Sequence, residues 1–494
     1  MSSGVATTRI ALPPASGDYR TPGKWLVAGS VMIGTFLSVM DATVVNVAMP
    51  HMMGLFGQDL LTITWVSTAY SIAEIIMITM AAWWTMLLGR KQLFLVSMFL
   101  FIVGSVLAGT SKTFGQLIFY RVLQGIGGGS LMPCSQAIAR ETFPPAEQGM
   151  AMAIYSMGVV TAPAIGPVVG GWLVDNYGWQ WVFYGWQWVF YINVPFCVVG
   201  ILMVSAFVHD PAYLKRGVAA IDWGGIALLT IGLTAAQVVL ERGEEVDWFA
   251  SHWIVFGTVV AALALTGLVV WEIFFTDEPV VDFRLFRNVP LSVGCGLGVV
   301  IGFALFGSSF LLPQLTQELL HYPAYQAGLV LMPRALTMLL AMPIVGRLYN
   351  LVSPRTMIGA GVVLLAYAYW RLGHFTLYVG FWSFLPILVM SGIGMGASMV
   401  TLSTVSLSTI PRHAMTAASS LYTLTRREAG NVAYAALATL VARREQFHRS
   451  DLVDSISATN PRSAELTRSS ATPCWAPDCT VHPGNGATLP WSTL

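Results

Sequence analysis

Asp41, Glu74 and Arg121 each lie inside a long apolar run, away from any polar stretch of the chain. A carboxylate at membrane depth costs at least about 2.5–3.5 kcal/mol on insertion scales, so such a residue is a functional-site hypothesis by default. Asp41 can exist protonated or ionised, and its state depends on burial and on any cation beside it. A carboxyl that takes a proton on one side of a membrane and releases it on the other can drive a second solute. Each charge moved is worth about 2.3 kcal/mol per 100 mV. Arg121 stays charged and needs an anion or several carbonyls around it. Pairing with Asp41 is therefore expected, and it would link protonation to helix position. Glu74 offers a second carboxylate, so one acid can carry the proton while the other meets a cationic solute. For both acids the alternative is a polar group that only serves helix packing.

Further charges lie in apolar runs at Arg334 and in the cluster Arg426-Arg427-Glu428. Glu428 is expected either to pair with Arg426 or Arg427, or to meet a substrate. Methionine and aromatic side chains can line an adaptable apolar cavity. No G-x-S-x-G, H-E-x-x-H or phosphate loop stands in a suitable context, so no catalytic residue, metal site or enzymatic activity is expected. Of the five cysteines, Cys134, Cys197 and Cys295 lie in apolar runs and Cys474 and Cys479 in the tail; none forms a recognisable metal or disulfide pattern.

The elements that must position these groups are long helices. The chain is 55% hydrophobic and 10% charged, against about 25% charge in soluble domains. Thirteen apolar runs between residues 25 and 441 are each long enough for roughly 30 Å of hydrocarbon. The fold class is an all-α polytopic membrane protein, and the net charge of +1 gives no case for nucleic acid. The polar N-terminus lacks a cleavable signal. Lysine and arginine crowd one set of loops, while the other set up to residue 413 holds only Lys112, Arg242 and Arg371. This asymmetry places the N-terminus inside.

The chain also repeats itself at an offset near 265. Gly125-Ile126-Gly127-Gly128-Gly129 has its counterpart in Gly392-Ile393-Gly394-Met395-Gly396, and Tyr155-Ser156 in Tyr422-Thr423. The turn ending Gly89-Arg90-Lys91 matches the one ending Ser353-Pro354-Arg355. Such a repeat implies two related bundles, an arrangement used by transporters. The expected organisation is a cytoplasmic tail over 1–24, a first bundle over 25–208, a linker with two extra spans over 209–275, a second bundle over 276–445 and a polar tail over 446–494.

At these residues the chain resembles the major facilitator superfamily, in its fourteen-span drug–proton antiporter branch of the EmrB/QacA type. Asp41 to Pro50 is similar to that branch's first-span motif, and Arg121 to Gly128 to its span-4 motif. Gly158, Ala162-Pro163, Gly166-Pro167 and Gly170-Gly171 are similar to its span-5 antiporter motif, and Gly89-Arg90-Lys91 to the end of its cytoplasmic turn motif. The resemblance implies two pseudo-repeated six-helix bundles with two extra spans between them, and proton-coupled export of amphipathic or cationic drugs by alternating access. It implies that Asp41, Glu74, Arg121, Asn46 and Gln124 serve proton coupling or substrate. Gly158, Pro163, Gly166, Pro167, Gly170 and Gly171 would seal the outer side against the other bundle. The proton motive force replaces any cofactor. Expected partners are drug molecules, protons, the lipid bilayer of the cytoplasmic (inner) membrane and, in a Gram-negative host, a periplasmic adaptor and outer-membrane channel. Export of an endogenous metabolite or siderophore, or a truncated non-transporting protein, is the alternative.

The chain departs from the family pattern in three places. In the turn motif, Ala82 and Met86 replace the usual glycine and aspartate. Gly178 to Tyr184 is repeated at once as Gly185 to Tyr191, where the family has one copy. After Arg444 the sequence turns polar, with no fourteenth apolar run, which suggests a shifted frame or a truncation.

Overall fold

A computed structural model describes residues 23–177, 186–210, 221–276, 279–376 and 379–455. Among them the chain is helical, without a strand. The first bundle comprises α1 (Lys24–Phe56), α2 (Leu60–Ile63), α3 (Trp65–Leu88), α4 (Arg90–Gly109), α5 (Phe114–Gly129), α6 (Leu131–Thr142), α7 (Gln148–Tyr177), α8 (Trp188–Tyr191) and α9 (Asn193–Phe207). Two further helices come next, α10 (Trp223–Arg242) and α11 (His252–Phe274). The second bundle contains α12 (Val289–Gln314), α13 (Ala324–Leu348), α14 (Pro354–Leu372), α15 (Phe381–Ser406) and α16 (Met415–Ser455). By contacts the chain divides into Met1–Ala436 and Leu437–Leu494. The first unit holds the buried charges and the helices that position them.

Nine helical segments among the described residues are long and apolar enough to cross a membrane, and α5–α6, α7, α14 and α16 occupy the other four expected positions. The expected continuous span over 114–138 is broken at Ser130. Pro133 has no N–H to donate to the Gly129 carbonyl, and its ring crowds that turn, so α5 stops and α6 restarts. Side-chain caps set other starts: Thr113 accepts from the Gln116 N–H at 3.3 Å, Asp222 from Gly225 at 2.8 Å and Ser353 from Thr356 at 3.3 Å. Gly89, at φ 86°, turns α3 into α4 within one residue, a conformation L side chains avoid.

The repeat is visible as packing. A Cβ on Gly125 would stand 2.5 Å from the Tyr70 carbonyl oxygen, and one on Gly129 2.3 Å from that of Glu74, both on α3. A Cβ on Gly127 would meet α4, 2.4 Å from the Phe101 nitrogen. In the second bundle Gly392 faces the Arg334 carbonyl on α13 at 2.6 Å, Gly394 the Gly361 carbonyl on α14 at 2.7 Å, and Gly396 again α13. Both glycine runs thus let a central helix approach two neighbours at backbone distance. Helices α10 and α11 pack on each other, and α10 also on α3; Leu229, Leu233 and Leu268 join Ile75, Met80 and Trp83 in one apolar cluster. Only 22% of the α11 window is buried, against 67% in α1 and α15, so α11 is peripheral and presents most of its surface to lipid.

Candidate functional site

The first-bundle charges converge as their types require. Thr113 starts α5 so that Arg121 and Gln124, three residues apart, share one face. Arg121 Nη1 donates to Asp41 Oδ2 at 2.5 Å and to Gln124 Oε1 at 2.7 Å, and Nε donates to the Val66 carbonyl at 3.0 Å. The second Asp41 oxygen accepts from Gln124 Nε2 at 2.8 Å and from Asn193 Nδ2 at 2.9 Å. Both amides also donate to Ser105 Oγ, at 3.2 and 3.0 Å. The Arg121 guanidinium lies over the Tyr70 ring at 4.2 Å and near Phe190 at 5.7 Å. The Asp41 and Arg121 side chains are both 0% exposed. Two valences stay open there: Arg121 Nη2 and Asn193 Oδ1 are buried without a partner.

Asn193 opens α9, and the second copy of the duplicated heptad holds it in place. Trp186 packs edge-on against Phe56 at 5.7 Å, Ser105 Oγ donates to the Phe190 carbonyl at 2.8 Å, and the absent side chain of Gly109 admits the Tyr191 ring. The first copy, Gly178 to Tyr184, lies outside the described residues, as does the tail beyond 455.

Glu74 makes the second buried pair, and its partner is Arg427 in the other bundle. Ser38 Oγ donates to Glu74 Oε1 at 3.1 Å, and the Tyr70 hydroxyl, whose ring lies under Arg121, donates to the Ser38 carbonyl at 3.1 Å. Arg427 makes its ion pair with Glu74, while Glu428 beside it lies within reach of the Arg427 charge and hydrogen-bonds with Asn431. Near these groups the repeat-related tyrosines Tyr155 and Tyr422 are both fully buried, and Arg426 lies close to each.

One end of the boundary is sealed by the turn motif. Arg90 pairs with Glu141 on α6, and donates to Thr416 Oγ1 and to the Arg412 carbonyl, each at 2.9 Å. The acid missing at Met86 is thus supplied by Glu141, a residue the motif did not reveal. The Lys91 backbone donates to Asp210 at 2.8 Å, and its ammonium to the Ser205 carbonyl at 2.7 Å. Asn350 donates to the Ala146 carbonyl at 2.5 Å, and a Cβ on Gly149 would stand 2.7 Å from the Gly346 carbonyl oxygen.

Two expectations shift. Asn46 does not join the network: it is exposed and accepts from Ser67 Oγ at 3.0 Å. Five residues past Asp41, it points about 140° away around the helix. In the span-5 motif, Gly158 and Gly166 face α1 rather than the second bundle; a Cβ on Gly166 would clash with Thr43 Oγ1 at 2.2 Å, and one on Gly158 would meet Met32 at 3.2 Å. Pro163 is exposed, and the surroundings of Pro167, Gly170 and Gly171 lie outside the described residues. Helix α7 meets the second bundle through other residues, with Gly149 to Ala153 against Gly346 of α13 and Tyr155 beside Arg426 and Thr423 of α16.

These features define a class: a multi-pass helical membrane protein of two related halves, with buried ion pairs inside one half and across the boundary. The chain belongs to the Major Facilitator Superfamily, whose family model matches residues 31–433. It is 35% identical to the multidrug export protein EmrB of Escherichia coli strain K12 over 439 residues, 88% of this chain and 84% of that one. It is 36% identical to EmrB of Haemophilus influenzae over 448 residues, 89% and 84% of the two chains. The fatty acid resistance protein FarB of Neisseria gonorrhoeae is 31% identical over 455 residues, 90% and 85%. In fold the chain is similar to the human organic anion transporter MFSD10, with a TM-score of 0.62 at 15% identity over 85% of this chain and 94% of that one. The proton:xylose symporter XylE gives 0.56 at 12% identity over 86% and 90%.

Proposed function

We propose that this protein exports amphipathic small molecules across the cytoplasmic membrane, driven by protons, with its N-terminus inside. The observation that carries this reading is Asp41, a fully buried carboxylate with three side-chain donors and one cationic partner, Arg121. Protonating Asp41 removes the charge that Arg121 balances. The buried guanidinium must then find another acceptor, which favours a different helix arrangement. Glu74 reports the same change across the boundary: with Glu74 neutral, Arg427 is released and the bundles lose a tie. With lysine and arginine loops inside, the end sealed by Arg90 faces the cytoplasm and solute leaves from the opposite side. The names of the EmrB relatives support drugs as cargo, and a periplasmic adaptor with an outer-membrane channel fits that type of exporter in a Gram-negative host.

The test is efflux of a preloaded amphipathic dye from proteoliposomes carrying an imposed proton gradient. Export is expected in the unsubstituted chain, abolished by a protonophore and at least tenfold slower in Asp41→Asn at equal incorporation. Undiminished export by Asp41→Asn would falsify the coupling role.

A further inference from the structure

Helices α10 and α11 stand between the two related bundles in sequence, and the polar side chains of α10 reach both of them. Toward α3, Arg242 Nη2 donates to Thr64 Oγ1 at 2.8 Å, the Arg242 guanidinium lies over the Trp65 ring at 5.2 Å, and Glu241 accepts from the Thr68 hydroxyl. Leu229 and Leu233 add the apolar cluster shared with Ile75, Met80 and Trp83. Toward α16, Asn431 Nδ2 donates to Oε1 of the buried Gln237 at 2.9 Å. Gln237 passes the bond on, its Nε2 donating to Glu241 Oε1.

These bonds form one chain across three helices, from Asn431 through Gln237 and Glu241 to Thr68. Its α16 end reaches a further acid, because Asn431 also hydrogen-bonds with Glu428. On α16 the chain starts one helical turn from Arg427, the partner of Glu74 across the boundary. The two sides of the chain differ in kind. The α3 side combines a cation, a carboxylate and apolar burial, and such contacts reinforce one another. The α16 side is a bond between two neutral amides, weak enough to be made and broken in every cycle. Alternating access moves one bundle against the other, and a 2.9 Å bond does not survive a shift of its two ends.

We propose that α10 travels with the first bundle and that Gln237 is a latch on Asn431, closed while the Arg90 end is sealed and released when the bundles exchange positions. This rests on the export reading for the movement itself. Gln237 is a positioning residue. Closed, it fixes the Asn431 amide and with it the hydrogen bond on Glu428. Released, it frees an N–H donor of Asn431, so Glu428 meets a different set of partners in the two conformations. The inserted helix is thereby a working part of the cycle.

The test cross-links two cysteine pairs in the full chain, reconstituted in proteoliposomes, with a short bis-methanethiosulfonate. Gln237→Cys with Asn431→Cys spans the latch, and Thr68→Cys with Glu241→Cys spans the α3 side. Both pairs should cross-link. The latch cross-link is expected to slow dye export at least about tenfold, with recovery on reduction, because it blocks a movement the cycle needs. The α3 cross-link should leave export within about twofold of the same variant before cross-linking. Failure of either pair to cross-link, export untouched by the latch cross-link, or export stopped equally by the α3 cross-link overturns the proposal. If the unsubstituted chain does not export, the movement is read without transport. Arg90→Ala, which unseals the opposite end, should then slow latch cross-linking about fivefold and leave the α3 rate unchanged. That split supports the latch while the transport reading alone falls, and equal rates overturn the latch.

Discussion

The two bundles share a packing plan and differ in charge. In each, a glycine run lets a central helix sit at backbone distance from two neighbours. The first bundle balances two of its buried arginines, Arg121 on Asp41, which Gln124 and Asn193 also hold, and Arg90 on Glu141, while Arg140 has no ion pair among the described residues. In the second, Arg334 and Arg426 have no ion pair among the described residues. The shared plan brings helices to backbone distance in both halves, and the halves differ in how their buried arginines are partnered. Glu74 and Arg427 tie the two together.

The largest expected effect breaks the comparison at its charges. Removing one member of a buried pair costs about 3–5 kcal/mol. Arg121→Leu should therefore lower unfolding stability in detergent by an amount in that range, whereas Arg334→Leu should cost less than about 1 kcal/mol because it removes an uncompensated charge. Equal losses would show that the second bundle neutralises Arg334 after all. A smaller effect tests the packing plan. An added methyl at Gly129 meets the Glu74 carbonyl oxygen at 2.3 Å, while at Gly396 its nearest neighbours stand at 3.3 Å. Gly129→Ala should cost about 1–3 kcal/mol and Gly396→Ala clearly less, read as a shift in thermal unfolding. Comparable shifts would mean the first bundle yields as readily as the second.

The smallest effect lies outside the membrane and outside both glycine plans. Hydrogen bonds from the Thr62 side chain and backbone hold the Asp59 carboxyl below its ordinary value of 3.8. A group whose folded pKa is depressed stabilises above its unfolded value and loses that contribution as pH falls. The difference in thermal stability between the unsubstituted chain and Asp59→Ala should therefore be present at neutral pH and shrink below about pH 4. A difference that persists in acid would assign the cap to something other than the ionised carboxylate.

Much of the fold was legible because thirteen apolar runs and a period in the glycines survive in one dimension. The Asp41–Arg121 pair was legible for a similar reason: opposite charges at membrane depth have few partners to choose from. Asn193 was not, since a neutral amide at the edge of an apolar run carries no cost that marks it. Glu141 was hidden by the break at Ser130, which changes the course of the chain before it. That Asn46 lies apart from the Asp41 network was not legible, because a motif read as a string ignores the angle between positions five apart. The direction of the span-5 glycines was equally out of reach: small residues announce a close neighbour without naming it.

The duplicated heptad presents the fold with two identical candidates for one seat. Trp186, Phe190 and Tyr191 of the second copy occupy it. The residues just beyond each copy make the choice. Two residues after Tyr191 comes Asn193, whose amide completes the Asp41 shell; two residues after Tyr184 comes Trp186, which has no such group. Asn193 therefore works as a reading-frame mark written in hydrogen bonds. It rejects a slip of seven residues that the apolar side chains alone would accept, so an otherwise ambiguous stretch of chain has a single address.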